Sequence, residues 1–237
     1  MATRTLYPAL RAVPGLRSTW WLSKSLIEFA RDWHRPPKVA AWSENWFQNK
    51  LDPWGMEHSE DHLTRYREVG QMLDKVRNGR KFATAHEIAC AEGTCTRKML
   101  AERCEKLLAT DVSPTAVERA RASCAGLSHI RFAVFDIMAD PSPGVFDLTL
   151  VMGFLATFYH RRDLEIAREK AVAMTAPGGY LLLSNWVWWA EEEFWWGRWL
   201  PRGAKWQDHF FAQHPKLEVV DTMRAPWFLH TLFRKSV

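Results

Sequence analysis

Apolar residues recur at three- and four-residue intervals between positions 63 and 76, at Leu63, Tyr66, Val69, Met72, Leu73 and Val76, with charged residues between them. That spacing predicts a helix with one face on a core. Ser59 is the residue type that caps such a helix, and His62 stands where a capping box would place Glu. Downstream the period changes to short apolar runs. Residues Ala83–Cys90, Lys106–Thr110, His129–Phe135, Phe146–Met152 and Tyr180–Ser184 read as five strands. Helices predicted over about Thr94–Cys104, Ser113–Ala125 and Arg162–Met174 alternate with them, the second opened by Ser113-Pro114. The run Phe146–Met152 is almost wholly apolar, as a strand covered on both faces should be. Leu217–Met223 and Trp227–Phe233 follow as two final strands. Strands alternating with helices predict a parallel sheet, and the short last connection permits one antiparallel pair. Before this block, Ser23–Trp33 reads as an amphipathic helix stopped by Arg35-Pro36-Pro37, and Glu44–Lys50 as a short helix. Asp52-Pro53-Trp54-Gly55 reads as a turn.

The connection after the first strand carries the candidate chemistry. From His86 to Cys95 the chain runs strand, tight turn of small residues, then helix, and Asp111 closes the next strand about twenty residues on. This is the layout of a nucleotide-binding βαβ unit, where small residues admit a ligand to the backbone and a carboxylate takes ribose hydroxyls. Only Gly93 is a glycine; Ala89 and Ala91 occupy the other two small positions. An alanine held at positive φ costs on the order of 1 kcal/mol.

Composition adds bounds. The 237 residues, 47% apolar, suffice for one α/β domain with a substantial core. A net charge of +5 does not call for nucleic acid. The absence of an 18-residue apolar run argues against a membrane span. Cys90, Cys95, Cys104 and Cys124 form no CxxC pair, which fits reduced thiols in a cytoplasmic protein. Residues 1–27 contain no acid and carry Arg4, Arg11 and Arg17, a transit-peptide-like composition, although an ordered segment is expected there. Tryptophan is concentrated: six precede residue 55, eight follow residue 185, and none lies between.

Glu87-Ile88-Ala89-Cys90-Ala91-Glu92-Gly93, Asp111-Val112-Ser113-Pro114, Phe135-Asp136-Ile137, Phe146-Asp147-Leu148 and Ala176-Pro177-Gly178-Gly179 resemble the ordered motifs of class I S-adenosylmethionine-dependent methyltransferases. Together with Asp52-Pro53-Trp54-Gly55, Ser59, Glu60 and Tyr66, they resemble the nodulation N-methyltransferase (NodS-like) group over about residues 45–185 and the final strand pair. The resemblance implies a Rossmann-like, doubly wound, seven-stranded sheet, mostly parallel with one antiparallel strand, behind a helical N-terminal extension. The chain is expected to divide into an extension or lid at 1–58 and a methyltransferase-like domain at 59–237 with a tryptophan-rich insertion at 186–206; residues 1–43 and 186–206 have no counterpart in the resemblance.

The implied cofactor is S-adenosylmethionine, or its product S-adenosylhomocysteine. Its amino-acid end would rest on the backbone around Ala89, Ala91 and Gly93, its ribose on Asp111 beside Val112, and its adenine on Asp136 and Ile137. Met152-Gly153-Phe154 would face the reactive centre. Tyr159 and His160 are candidate bases, against a plain surface role for the histidine; Glu44 and Asp52 could bind an amine or serve as cap and turn. Glu191-Glu192-Glu193 reads as a solvated helix start. Trp54, Trp186 and Trp189 with Phe154 would line a substrate pocket, the leader and the segment after the fifth strand converging above the cofactor. The same rings fit a homodimer or partner-subunit interface equally well. The implied activity is methyl transfer to a small-molecule acceptor, most readily an amine nitrogen. The alternatives are a repurposed pocket with non-methylating transfer, cyclisation or partner-binding chemistry, and RNA methylation.

Overall fold

The computed structural model describes residues 38–158, 160–187 and 203–237. The expected helix at 23–33, the acidic run at 191–193, Tyr159 and Trp189 lie outside them. Two helices, α1 (Val39–Asn49) and α2 (Glu60–Arg77), precede the sheet. The strands are β1 (Phe82–Ile88), β2 (Cys104–Asp111), β3 (Ile130–Val134), β4 (Phe146–Met152), β5 (Thr175–Trp186), β6 (Leu217–Arg224) and β7 (Phe228–Lys235). Helices α3 (Pro114–Ser123), α4 (Arg161–Met174) and α5 (Ala204–Ala212) connect them.

The sheet order is β3-β2-β1-β4-β5-β7-β6, and only β7 runs antiparallel to its neighbours. One apolar core joins Tyr66, Val69, Met72 and Leu73 of α2 to β1, β2 and β4. A second joins Leu164, Ala167 and Ala171 of α4 and Phe210 and Phe211 of α5 to β4, β5 and β7. With a core under each set of helices, the last five residues of β4, Leu148 to Met152, are buried, as its apolar run requires. Among the described residues, no helix is long and apolar enough to cross a membrane.

Local chemistry explains the element ends. Ser113 Oγ accepts from the Ala116 N–H and Pro114 takes the first helical position, so α3 starts where its sequence requires. Glu60 and Asp61 favour the positive end of α2, and Asn78 ends it in the left-handed conformation at φ 50°. Two expectations are corrected and one helix is added. The helix foreseen over 94–104 is a single wide turn, Thr96–Leu100, because β2 begins at Cys104 and leaves no room for more. β5 begins at Thr175, because the proline-glycine stretch stays in the sheet through an irregularity opposite Phe146 and Leu148. Helix α5 has no counterpart in the sequence reading; its Phe210 and Phe211 stand behind a tryptophan-rich stretch that masked their pattern.

Candidate active site

The turn after β1 sets the geometry. Ala89 and Ala91 adopt φ of 61° and 50°, and Gly93 φ of 80°, so all three small positions are left-handed. Ala89 and Ala91 reach the cavity wall. Gly93 stands behind the turn, where an added Cβ would come within 3.2 Å of Ala120 in α3, so its place is helix packing rather than the wall. Asp111 braces the turn: one carboxylate oxygen accepts from the Ala91 N–H and the other from the Ser113 N–H, each at 2.9 Å. Burial pushes the Asp111 carboxyl upward, and the backbone donors Ser113, Ala91 and Val112 pull against it.

The cavity, about 420 Å³, opens at the carboxyl ends of the strands. Its floor is Ile88, Ala89 and Ala91 after β1, and Asp111 and Val112 at β2. Phe135, Asp136 and Ile137 beyond β3, and Met152, Gly153 and Phe154 at β4, complete it. Asp136 also closes its own loop, accepting from the Met138 N–H at 2.8 Å. Trp42, Ser43 and Phe47 of α1 and Trp54 and Met56 of the following loop form a roof, and Trp186 and Phe228 form a side wall. The ring centroids of Trp42 and Trp46 each lie 5.5 Å from that of Trp54. Trp186 stacks on Trp227 at 5.8 Å.

Three carboxylates latch the roof to the fold. Glu44 of α1 accepts from Ser113 Oγ, Thr115 Oγ1 and the Thr115 N–H at the start of α3. Glu92, inside the turn, accepts from the Asp52 N–H at 2.8 Å and pairs with Arg119 at 2.7 Å. Glu57 pairs with Arg97 and Lys98 and accepts from Thr94. Partial burial would raise Glu57, but the Lys98, Arg97 and Thr94 bonds win and hold it at about 2. Asp52 accepts from the Met56 and Glu57 N–H groups. Of the two roles open for Glu44 and Asp52, the structure places both carboxylates in cap and turn contacts.

Sequence reasoning missed Arg65 on α2. It is 3% exposed and lines the cavity. Its Nε donates to Ser184 Oγ at 2.7 Å, Nη2 donates to the Ser184 carbonyl, and its guanidinium lies 4.5 Å over the Phe228 ring. Among the described residues no carboxylate forms an ion pair with it. Burial pushes it down to about 10. Ser184 Oγ also meets His230 Nδ1 at 2.9 Å, and His230 Nε2 meets Glu68 at 3.2 Å. Burial, then the Arg65 and Arg224 charges, lower His230 to about 3. A neutral imidazole therefore accepts a hydrogen bond from the Ser184 hydroxyl at Nδ1 and donates from Nε2 to Glu68, leaving Ser184 Oγ free to accept from Arg65. Gly153, at φ 84°, lets the end of β4 pass this guanidinium; a Cβ there would come within 3.3 Å of Arg65 Nη2.

The structure thus brings Ala89, Ala91, Asp111, Val112, Asp136, Ile137, Gly153, Trp54, Phe154 and Trp186 to one cavity. His160 is not in that wall; it precedes α4, where its carbonyl accepts from Asp163 and Leu164. The wall gathers strand ends and residues of α1 and α2, whereas His160 stands at the start of α4.

Comparison with known proteins bears on the whole block. The family model of Nodulation protein S (NodS) matches residues 47–186. Nodulation protein S of Bradyrhizobium diazoefficiens is 36% identical over 137 residues, 56% of this chain and 62% of that protein. Nodulation protein S of Rhizobium tropici is 31% identical over 134 residues, 56% of this chain and 55% of that protein. The match therefore spans less than two thirds of the length of these relatives. The crystal structure of N-methyltransferase NodS from Bradyrhizobium japonicum WM9 in complex with S-adenosyl-L-homocysteine superposes with TM-score 0.66 at 25% identity, over 81% of this chain and 98% of that one. The strand order, the left-handed small-residue turn and the match over 47–186 agree, and the chain belongs to the NodS family.

Proposed function

We propose that the chain is an S-adenosylmethionine-dependent methyltransferase acting on an amine nitrogen of a small-molecule acceptor. One observation carries this: a single cavity joins a left-handed backbone turn, the carboxylates Asp111 and Asp136, and a buried guanidinium that has no carboxylate partner among the described residues. Those groups complement a zwitterionic nucleoside. Asp111 suits ribose hydroxyls, Asp136 and Ile137 suit an adenine edge and face, and Arg65 suits the carboxylate of the amino-acid end. The NodS relatives supply the methyl-transfer reading and, through the N-methyltransferase of known structure, its nitrogen direction.

Bound here, the cofactor supplies an electrophilic methyl on sulfur. The chain's own part is to hold the acceptor lone pair in line and to keep water out. Trp42, Trp54, Trp186 and Phe228 give an apolar approach to the Gly153 end of β4. Their place in the cavity wall supports the substrate role of these rings over a subunit interface, with α1 and its loop as the lid. Titration calorimetry of the purified chain with S-adenosylhomocysteine tests the reading, and one-site binding in the micromolar range is expected. No heat at millimolar ligand would overturn it and favour a repurposed pocket.

Two variants refine the picture. Ala89→Gly should retain or improve cofactor affinity, since glycine accepts φ 61° without strain. The relief of strain and the greater freedom of the unfolded chain, each about 1 kcal/mol, leave the melting temperature nearly unchanged. A tenfold affinity loss by calorimetry would show that the alanine methyl shapes the pocket. Trp54→Ala should lower turnover at least tenfold, with melting moved by only about 2–4 °C, because the ring is 38% exposed at the roof edge. A collapse in melting with unchanged turnover per folded molecule would assign Trp54 to the core.

A further inference from the structure

His62 has no part in the cofactor site described above. It lies one turn before Arg65 on α2, lines the cavity, and is 8% exposed. Its ring packs against Phe228 at 5.5 Å and Tyr66 at 6.3 Å between centroids. Its Nδ1 is buried without a hydrogen-bond partner among the described residues. A buried polar atom without a partner costs about 1–3 kcal/mol; because Nδ1 is closed off from the cavity, Nε2 is the ring nitrogen a ligand there can reach. Burial, then the Arg65 charge, hold the ring neutral down to about pH 4, with Asp52 acting weakly the other way.

On the methyl-transfer reading, we infer that His62 is an acceptor-positioning residue: its neutral imidazole accepts a hydrogen bond from the N–H of an uncharged amine. The electrostatics select that protonation state. An ammonium would enter a low-dielectric cavity beside the Arg65 guanidinium and the cofactor's sulfonium, and it would carry no free lone pair. An amine held by one N–H keeps its lone pair directed away from the histidine. In the transfer the nitrogen pair forms the N–C bond and the C–S pair returns to sulfur. The new ammonium then releases its proton to solvent on leaving.

The test uses aniline, a primary amine uncharged at neutral pH, and N,N-dimethylaniline, which has no N–H. Both are titrated into the chain loaded with S-adenosylhomocysteine. For His62→Phe, aniline affinity should fall about tenfold while N,N-dimethylaniline changes less than twofold. His62→Gln should restore aniline to within about threefold. Melting should hold or rise in His62→Phe, because an orphaned buried nitrogen is removed. Equal loss for both amines would make His62 mere packing and overturn the proposal. So would unchanged aniline affinity, or no aniline binding to the loaded chain. S-adenosylhomocysteine affinity is read in the same experiment. Its absence in the wild type would instead sink the methyltransferase reading.

Discussion

Replacing Asp111 with alanine should reduce S-adenosylhomocysteine affinity about 1000-fold. Two contributions act together. The carboxylate is the ribose partner in the proposed function, and each charge-assisted bond of that kind contributes roughly 1.5–3 kcal/mol. It also holds the turn itself, through the Ala91 and Ser113 N–H groups. Alanine would free Ala91 to leave φ 50°, a conformation an alanine does not prefer. The orphaned N–H groups cost stability while removal of a buried carboxylate restores some, so melting should fall by about 4–8 °C. Calorimetry and thermal melting on one preparation check both parts. Affinity within threefold of wild type would mean that Asp111 only braces the turn and that the ribose lies elsewhere.

Arg65→Met should separate stability from binding with opposite signs. The guanidinium is buried, has no carboxylate partner among the described residues, and is held by Ser184 and the Phe228 face. Burying a charge costs several kcal/mol, and replacing it with an apolar side chain of similar length is commonly neutral or stabilising. The melting temperature should therefore hold or rise. Cofactor affinity should fall about 100-fold, or ~2.7 kcal/mol, if Arg65 takes the amino-acid carboxylate. Binding of adenosine, which lacks that carboxylate, should change little. A variant that loses stability and binds both ligands equally less well would make Arg65 a structural brace.

The frame was legible because its strands are fully covered. The apolar run of β4 gives its bounds, Phe146–Met152, directly, and Ser113-Pro114 fixes the start of α3. The turn was legible as three small positions at fixed spacing, all of which are left-handed. Gly93 was assigned to the ligand because sequence spacing does not distinguish a wall from the packing behind it. Arg65 and His62 were missed although a signal was present. Arg65 falls in register with Val69, Met72 and Val76, and His62 with Tyr66, Val69 and Leu73. A charge and an imidazole on an apolar stripe carry no interpretation until β5 and β7, more than a hundred residues away, supply Ser184 and Phe228.

The roof of the cavity implies a rate as well as a shape. Its Glu44, Glu57 and Glu92 latches are partly solvated, and each is worth up to about 1 kcal/mol; withdrawing Phe47 from the core costs about 2 more. At full latch strength the cost is about 5 kcal/mol, which puts the open form at roughly one molecule in five thousand, reached on the microsecond-to-millisecond scale. An acceptor too large to pass the closed roof enters only while it is open, so its association and its release are both slowed by about that factor. Because Glu92 belongs to the turn itself and also holds the Asp52 N–H, a ligand that stiffens the turn also makes opening rarer. An acceptor that needs the open roof would then enter more slowly once cofactor is bound.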